Sequence, residues 1–293
     1  MKSRVRKIIF LLAVTAVIVF AACRKDQSLQ TTAGKQSVTI LINDNPVRDL
    51  TNVWIDIRHV EIKVDTTRKR PGDDDDDDYD DDDDDDDDDR DHDRYGIWDT
   101  LGVAPGVYDL LRFRNGIDTV LATGLATSGR IFKVRLTLGP NSATSKDSGV
   151  TRQALGICNR KPYVYIRIRK EHLQVQNGTV RLQLDFDLSK SLNWNGGRYC
   201  LRPVVKAYSD RSSGKIEGEV RPRIARAMPF AFNSTDSSGA KPDDDGEFKI
   251  CGLKPGVYSL RFNPVNGYRD TIITGIVVRA GQEVELPTIT LRR

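Results

Sequence analysis

Apolar residues recur at every second position over much of the chain, which predicts β-strands joined by turns. Val38, Ile40 and Ile42 alternate with polar neighbours, Asp44-Asn45-Pro46 marks a turn, and Val53, Ile55 and Ile57 resume the alternation. The parity slips by one residue across Arg58-His59 before Val60, Ile62 and Val64 carry it on. Such a slip predicts a β-bulge and makes His59 a bulge residue rather than a metal ligand. Further strands are expected at 96–98, Val107 to Phe113, Thr119 to Leu121 and Ile131 to Leu138, with a loop from Pro140 to Gly149. Asn177-Gly178 has the chemistry of a two-residue hairpin turn, pairing Val175 with Val180 and Leu173 with Leu182.

Extended past a bulge near Lys170, that hairpin would set Arg169 opposite Asp185 and Arg167 opposite Asp187. Leu182, Leu184, Phe186 and Leu188 would then face inward, and the two aspartates would stand outside as partners of the arginines rather than as a catalytic pair or a calcium site. A strand from Tyr199 to Tyr208 contains Pro203, which suits an edge or a bulge. The fold class expected from this pattern is all-β, with two β-sandwich domains in tandem.

Two segments break the alternation. Lys2, Arg4, Arg6 and Lys7 precede an unbroken apolar or small run from Ile8 to Ala22, followed by Cys23. This is the pattern of a secretion signal over 1–22 that ends in a lipobox, with Cys23 as the acylated residue. It predicts a chain held at the outer membrane by lipid, with 23–35 as a polar spacer. The second segment holds 16 Asp in the 17 residues from Asp73 to Asp89 and cannot bury apolar area, so 65–95 is expected to be a disordered acidic loop.

The formal net charge of +3 hides this asymmetry, because Asp73 to Asp93 alone carries −17, and a basic body therefore bears a polyanionic insert. Dense carboxylates would attract Ca²⁺ or Mg²⁺, with Asp73, Asp80 and Asp89 as weak candidate ligands, but a flexible chain lacks a fixed oxygen cage. Asp243-Asp244-Asp245-Gly246 reads as a hairpin turn rather than a calcium loop. Besides Cys23, the chain has Cys158, Cys200 and Cys251. In an oxidising compartment three thiols give one pair and one left over, and Cys158 with Cys200, in one domain, is the favoured pair.

Several segments together resemble domain-of-unknown-function family 4382, over roughly Gln36 to Ser209. They are Ser37-Val38, Asp44 and Pro46, the run Val53 to Ile62, Asp109-Leu110-Leu111 with Asn115-Gly116, Leu184-Asp185-Phe186-Asp187 with Lys190-Ser191, and Leu201-x-Pro203-Val204. That resemblance implies a β-rich module of lipoproteins, notably of Bacteroidota, without an established reaction. Gly214-x-Ile216-x-Gly218-x-Val220, Asp245-Gly246-x-Phe248, Gly252-Leu253-x-Pro255-Gly256-x-Tyr258-x-Leu260 and Gly267-Tyr268 resemble a carboxypeptidase regulatory-like domain of the prealbumin type. It implies a sandwich with no catalytic residues of its own. The domains expected are thus 36–209 and 210–293. A shared Pro-Gly-Val-Tyr-x-Leu pattern, at Pro105 to Leu110 and Pro255 to Leu260, followed in each case by a Thr-Gly turn, links the two.

The chain shows no nucleophile elbow, phosphate loop or dinucleotide fingerprint, and His59, His92 and His172 lack helical zinc spacing. An enzyme is therefore not expected, nor a nucleic-acid ligand. Two readings of function remain. One is a non-catalytic binding or adhesion module for a glycan or an envelope protein, and the other a structural or divalent-cation-responsive protein that uses the Asp tract.

Overall fold

The computed structural model describes residues 33–45, 47, 49–67, 96–113, 115–116 and 119–293. Cys23, His92 and the candidate ligands Asp73, Asp80 and Asp89 lie outside them, as do the expected signal over 1–22 and most of the expected acidic loop over 65–95. Fifteen strands precede Ser209: β1 (Lys35–Asn45), β2 (Asn52–Asp65), β3 (Ile97–Val103), β4 (Gly106–Asp109), β5 (Thr119–Thr127), β6 (Arg130–Leu138), β7 (Ala143–Ser145), β8 (Gln153–Ala154), β9 (Gly156–Ile157), β10 (Tyr163–Arg167), β11 (Leu173–Gln176), β12 (Thr179–Asp187), β13 (Leu192–Asn195), β14 (Arg198–Leu201) and β15 (Val205–Tyr208). Eight follow it: β16 (Gly214–Arg221), β17 (Met228–Phe232), β18 (Ser237–Gly239), β19 (Glu247–Leu253), β20 (Gly256–Asn263), β21 (Thr271–Val278), β22 (Glu283–Glu285) and β23 (Ile289–Thr290). The chain is all-β, as its alternation predicts; a four-residue helix, α1 (Leu188–Ser191), follows β12.

Twelve of the first fifteen strands form one winding sheet in the order β10-β6-β2-β3-β5-β1-β12-β11, with β15 on β12, β4 and β7 on β2 and β8 on β7, and the other three form a small β13-β14-β9 sheet. β3 bridges its two halves, pairing Val60 to Val64 of β2 on one side and Thr123 and Ala122 of β5 on the other. The inward positions fill one core. Ile55, Ile57, Val60, Ile62 and Val64 of β2 meet Val38, Ile40 and Ile42 of β1 and Leu182, Leu184 and Phe186 of β12, each at 1 % exposure or less. The predicted bulge lies where the β2–β6 register shifts between Ile57 and His59. The Asn177-Gly178 turn has φ of 51° and 75°, the left-handed pair that a type I′ turn requires, and it sets Val175 against Val180 and Leu173 against Leu182.

Beyond the hairpin the expected register fails. Ile166 and Ile168 are buried, as their parity requires, but β10 pairs with β6. From Gln183 onward the partner of β12 is β15, which places Lys206 opposite Asp185. Alternation fixes which face a residue shows, but not which strand lies beside it. Four smaller expectations are also corrected. Leu110 to Arg112 is a 3₁₀ turn, and β7 lies within the expected loop. The 199–208 segment breaks at Pro203 into β14 and β15, because proline cannot donate to a ladder. Both Thr-Gly pairs lie inside strands, β5 and β21, rather than in turns.

The last eight strands enclose a second core around Ile216, Phe248, Ile250, Leu253, Tyr258, Leu260 and Phe262. They form the sheets β19-β16-β22, with β23 also on β16, and β18-β17-β20-β21. The repeated Pro-Gly-Val-Tyr pattern produces the same local bond in both halves: the Tyr108 hydroxyl donates to Ala104 O, and the Tyr258 hydroxyl lies 3.0 Å from Lys254 O. Residues Ala33–Arg293 make one compact unit. Cys158 and Cys200 are joined as a disulfide that ties the end of β9 to β14, and Cys251 is not in a disulfide.

Candidate functional site

The solvent side of β10, β6, β2 and β3 is built by the residues between the buried ones. Because Ile166, Val134, Leu136, Val60, Ile62 and Leu101 point into the core, their neighbours must point outward. Three rows cross the sheet. Arg167, Lys133, Lys63 and Trp98 form one; Tyr165, Arg135, Glu61 and Thr100 the next; Tyr163, Thr137 and His59 the third. The rings gather across these rows. Tyr163 and Tyr165 lie 5.2 Å apart, and Trp98 lies 6.1 Å from Tyr165.

Cations pack against the rings. The Arg135 guanidinium lies 4.8 Å from the Trp98 centroid, Lys133 Nζ 5.2 Å from Tyr165, and Lys63 Nζ 5.6 Å from Trp98 and 5.8 Å from Phe132. Arg135 also donates from Nε and Nη2 to the two oxygens of Glu61, at 2.6 and 2.5 Å, a bidentate fork that fixes the guanidinium plane. Tyr163 and Tyr165 remain 37 % and 38 % exposed, whereas Lys63 is almost covered. Among its described residues the face is therefore rich in rings and cations and held rigid from beneath. The sequence signal for it is Tyr163-x-Tyr165-x-Arg167, a second stripe at period two, opposite the apolar one.

The aspartates singled out by sequence are not on this face. Asp185 and Asp187 are 8 % and 0 % exposed, far from the outward position expected of them, and neither is opposite an arginine. Asp187 caps α1, accepting from Lys190 N at 3.1 Å and from the Ser189 hydroxyl at 2.6 Å, and its other oxygen lies 3.4 Å from Lys190 Nζ. Burial pushes the Asp185 carboxyl up to about 7, helped by Asp187 and opposed by Lys206 and Lys190. Burial and the same two carboxylates push Asp44 well above the usual carboxylate range against the Leu188 amide. Among the described residues no group of three or more His, Cys, Asp or Glu could hold a metal ion. Asp243 accepts from the Asp245 and Glu247 amides at 2.9 and 3.0 Å, as a turn residue does.

Asp185, opposite Lys206, instead borders a polar seam between the two cores. Lys206 Nζ bonds Asp236 Oδ1 at 2.9 Å, and Asp236 Oδ2 accepts from Lys254 N at 3.0 Å and from the Tyr258 hydroxyl at 2.8 Å. Asn43 donates to the Tyr208 hydroxyl, and Gly252, at φ 71°, lies flat on the Tyr208 ring, where an added Cβ would come within 3.3 Å. His172 sits in a 3₁₀ turn, where its Nδ1 accepts from Arg169 N at 3.2 Å.

The family model described as Domain of unknown function (DUF4382) matches residues 35–203, more than half of the chain, and the chain belongs to that family. No curated protein matches it. Among solved structures it is similar to a type II cohesin–X-dockerin complex from Acetivibrio cellulolyticus, at 22% identity over 27% of this chain and 56% of that one, with a TM-score of 0.23. This chain thus spans little more than half of that one. It is also similar to GBS52, the minor pilin of Streptococcus agalactiae, at 13% identity over 87% and 96% of the two chains and a TM-score of 0.21. The shaft pilin SpaA from Lactobacillus rhamnosus GG gives 9% identity over 88% and 97%, also with a TM-score of 0.21. At such scores these likenesses carry no argument about fold or function.

Proposed function

We propose that this member of a family of unknown function is a non-catalytic recognition module, held at the outer membrane through Cys23, that meets its ligand with the ring-and-cation face of β10, β6, β2 and β3. The observation that carries the reading is that Tyr163, Tyr165 and Arg167 project outward from an edge strand whose other side is fixed in the core. A rigid platform of this kind loses little entropy on binding, which favours recognition. The half from 210 to 293, with its resemblance to a carboxypeptidase regulatory-like domain, acts as a second sandwich that braces the first through the Lys206–Asp236 seam. The lipid attachment is tested by labelled palmitate, which should enter the full chain but not its Cys23→Ala variant; an unlabelled, soluble wild type would reject it.

The recognition face is tested by retention of the purified full chain on immobilised polysaccharides, collagen and mucin. Replacing Tyr163 and Tyr165 together by alanine should reduce retention about ten-fold or more, equivalent to about 1.4 kcal/mol of binding. Trp194→Ala, on the exposed β13–β14 hairpin, should leave it unchanged. Retention on none of the probes, or the reverse pattern, would reject the face as the binding site.

A further inference from the structure

We propose that β21 is a docking edge for a second copy of this chain, whose own β21 pairs with it antiparallel about a two-fold axis. β21 ends the sheet order β18-β17-β20-β21, so among the described residues one of its long sides has no neighbouring strand. Natural edges are blunted by shortness, charge or proline, because an open ladder recruits other strands. The other edges of this half follow that rule. β18, β22 and β23 are two or three residues long, β22 also carries Glu283 and Glu285, and β19 carries Glu247 and Lys249. β21 does not. It runs for eight residues, Thr271–Val278, of which seven are β-branched and none is charged or proline.

The strand is also complementary to itself. Gly275, at φ 79°, sits in a bulge: Tyr258 pairs with Ile276 and Leu260 with Ile273, so Thr274 and Gly275 together oppose Ser259. The extra residue brings Ile272 and Val277 to the same solvent face, at 56 % and 44 % exposure, where an unbroken strand would set them on opposite faces. A copy laid antiparallel so that all eight residues overlap pairs Ile272 with the partner's Val277, and the inward Ile273 with the partner's Ile276. Both pairs match faces. Without the bulge they could not.

The same register matches charge. Asp270 and Arg279 are exposed and stand one residue outside the two ends of β21. Continued by one residue, the pairing sets Asp270 beside the partner's Arg279 and Arg279 beside the partner's Asp270, two ion pairs that close the shared ladder at both ends. The outward row Phe230, Arg261, Ile272 then runs on into the partner's Val277 and Val257. An eight-residue edge is a small contact beside the roughly 800 Å² per partner of a standard interface, so the dimer should come apart on dilution. The pairing does not depend on the recognition face of the first half.

Sedimentation velocity of the full chain over a wide range of concentration tests it. Monomer at the dilute end and dimer at the concentrated end are expected. Ile272→Glu combined with Val277→Glu, two exposed changes whose fold is checked by circular dichroism, sets like charges opposite each other and should weaken the dimer about ten-fold or more. Asp270→Arg should weaken it too, and Asp270→Arg combined with Arg279→Asp should restore it, because the swap rebuilds both end pairs. A monomer at every concentration would overturn the proposal and leave the edge to a strand of another protein. Association that the two glutamates do not weaken, or species that keep growing beyond the dimer, would overturn it as well. Loss of the dimer in the charge swap would overturn the two-fold register on which the proposal stands.

Discussion

Replacing Asp236 by alanine is expected to destabilise the chain by about 2 kcal/mol, in the range for taking the acceptor away from part-buried donors. Asp236 is 8 % exposed and collects four donors: Lys206 Nζ at 2.9 Å, Ser237 N at 2.9 Å, Lys254 N at 3.0 Å and the Tyr258 hydroxyl at 2.8 Å. Burial works against its charge, but Lys206 and these bonds hold its carboxyl below the usual range. Removing it leaves the Ser237 and Lys254 amides without this acceptor, and leaves Lys206 Nζ and the Tyr258 hydroxyl only Ser237 O at 3.3 Å and Lys254 O at 3.0 Å. Urea unfolding of wild type, Asp236→Ala and Asp236→Asn measures the cost, with asparagine expected in between because it keeps an acceptor but not the charge. A loss below about 0.5 kcal/mol, the usual size for a surface substitution, would show that the seam contributes little.

Asp185→Asn is expected to make the protein less sensitive to rising pH. In the unfolded chain this carboxyl ionises near pH 4, whereas burial, reinforced by Asp187, keeps it protonated up to about 7 in the folded one. Between those values the folded state holds the extra proton. Stability therefore falls as pH rises through the window, by about 1.4 kcal/mol for each unit crossed, and levels off above it. Asparagine resembles the protonated acid and has no such term. Melting curves at pH 5 and pH 8 should show the wild type losing more than the variant, and Asp44, shifted the same way, should supply part of the slope that remains. Equal slopes in the two proteins would place the Asp185 carboxyl in water.

Local chemistry was legible in the sequence. The Asn177-Gly178 hairpin, the bulge beside His59 and the inward set Leu182, Leu184 and Phe186 each depend on a turn type or a parity that a few neighbouring residues determine. Partner choice was not. β1 runs parallel to β12, and β12 exchanges β11 for β15 part way along, so Asp185 meets Lys206 and not the arginines of the preceding strand. Nothing within a strand specifies such pairings, because they are decided by the joint burial of distant segments. The binding face illustrates the same limit. Its tyrosine stripe was readable on β10, but Trp98, from β3, reaches it only through two intervening strands.

Lysine footprinting tests the central claim most directly. The full chain is acetylated at its lysines with and without the polysaccharide, collagen or mucin that retains it and mapped by mass spectrometry. Lys133, on the face beside Tyr165, should be protected by that ligand, while Lys249, ion-paired to Glu217 and Glu283 in the second half, should react equally in both samples. Protection of Lys249 with none at Lys133 would contradict the account and move the binding surface to the second sandwich.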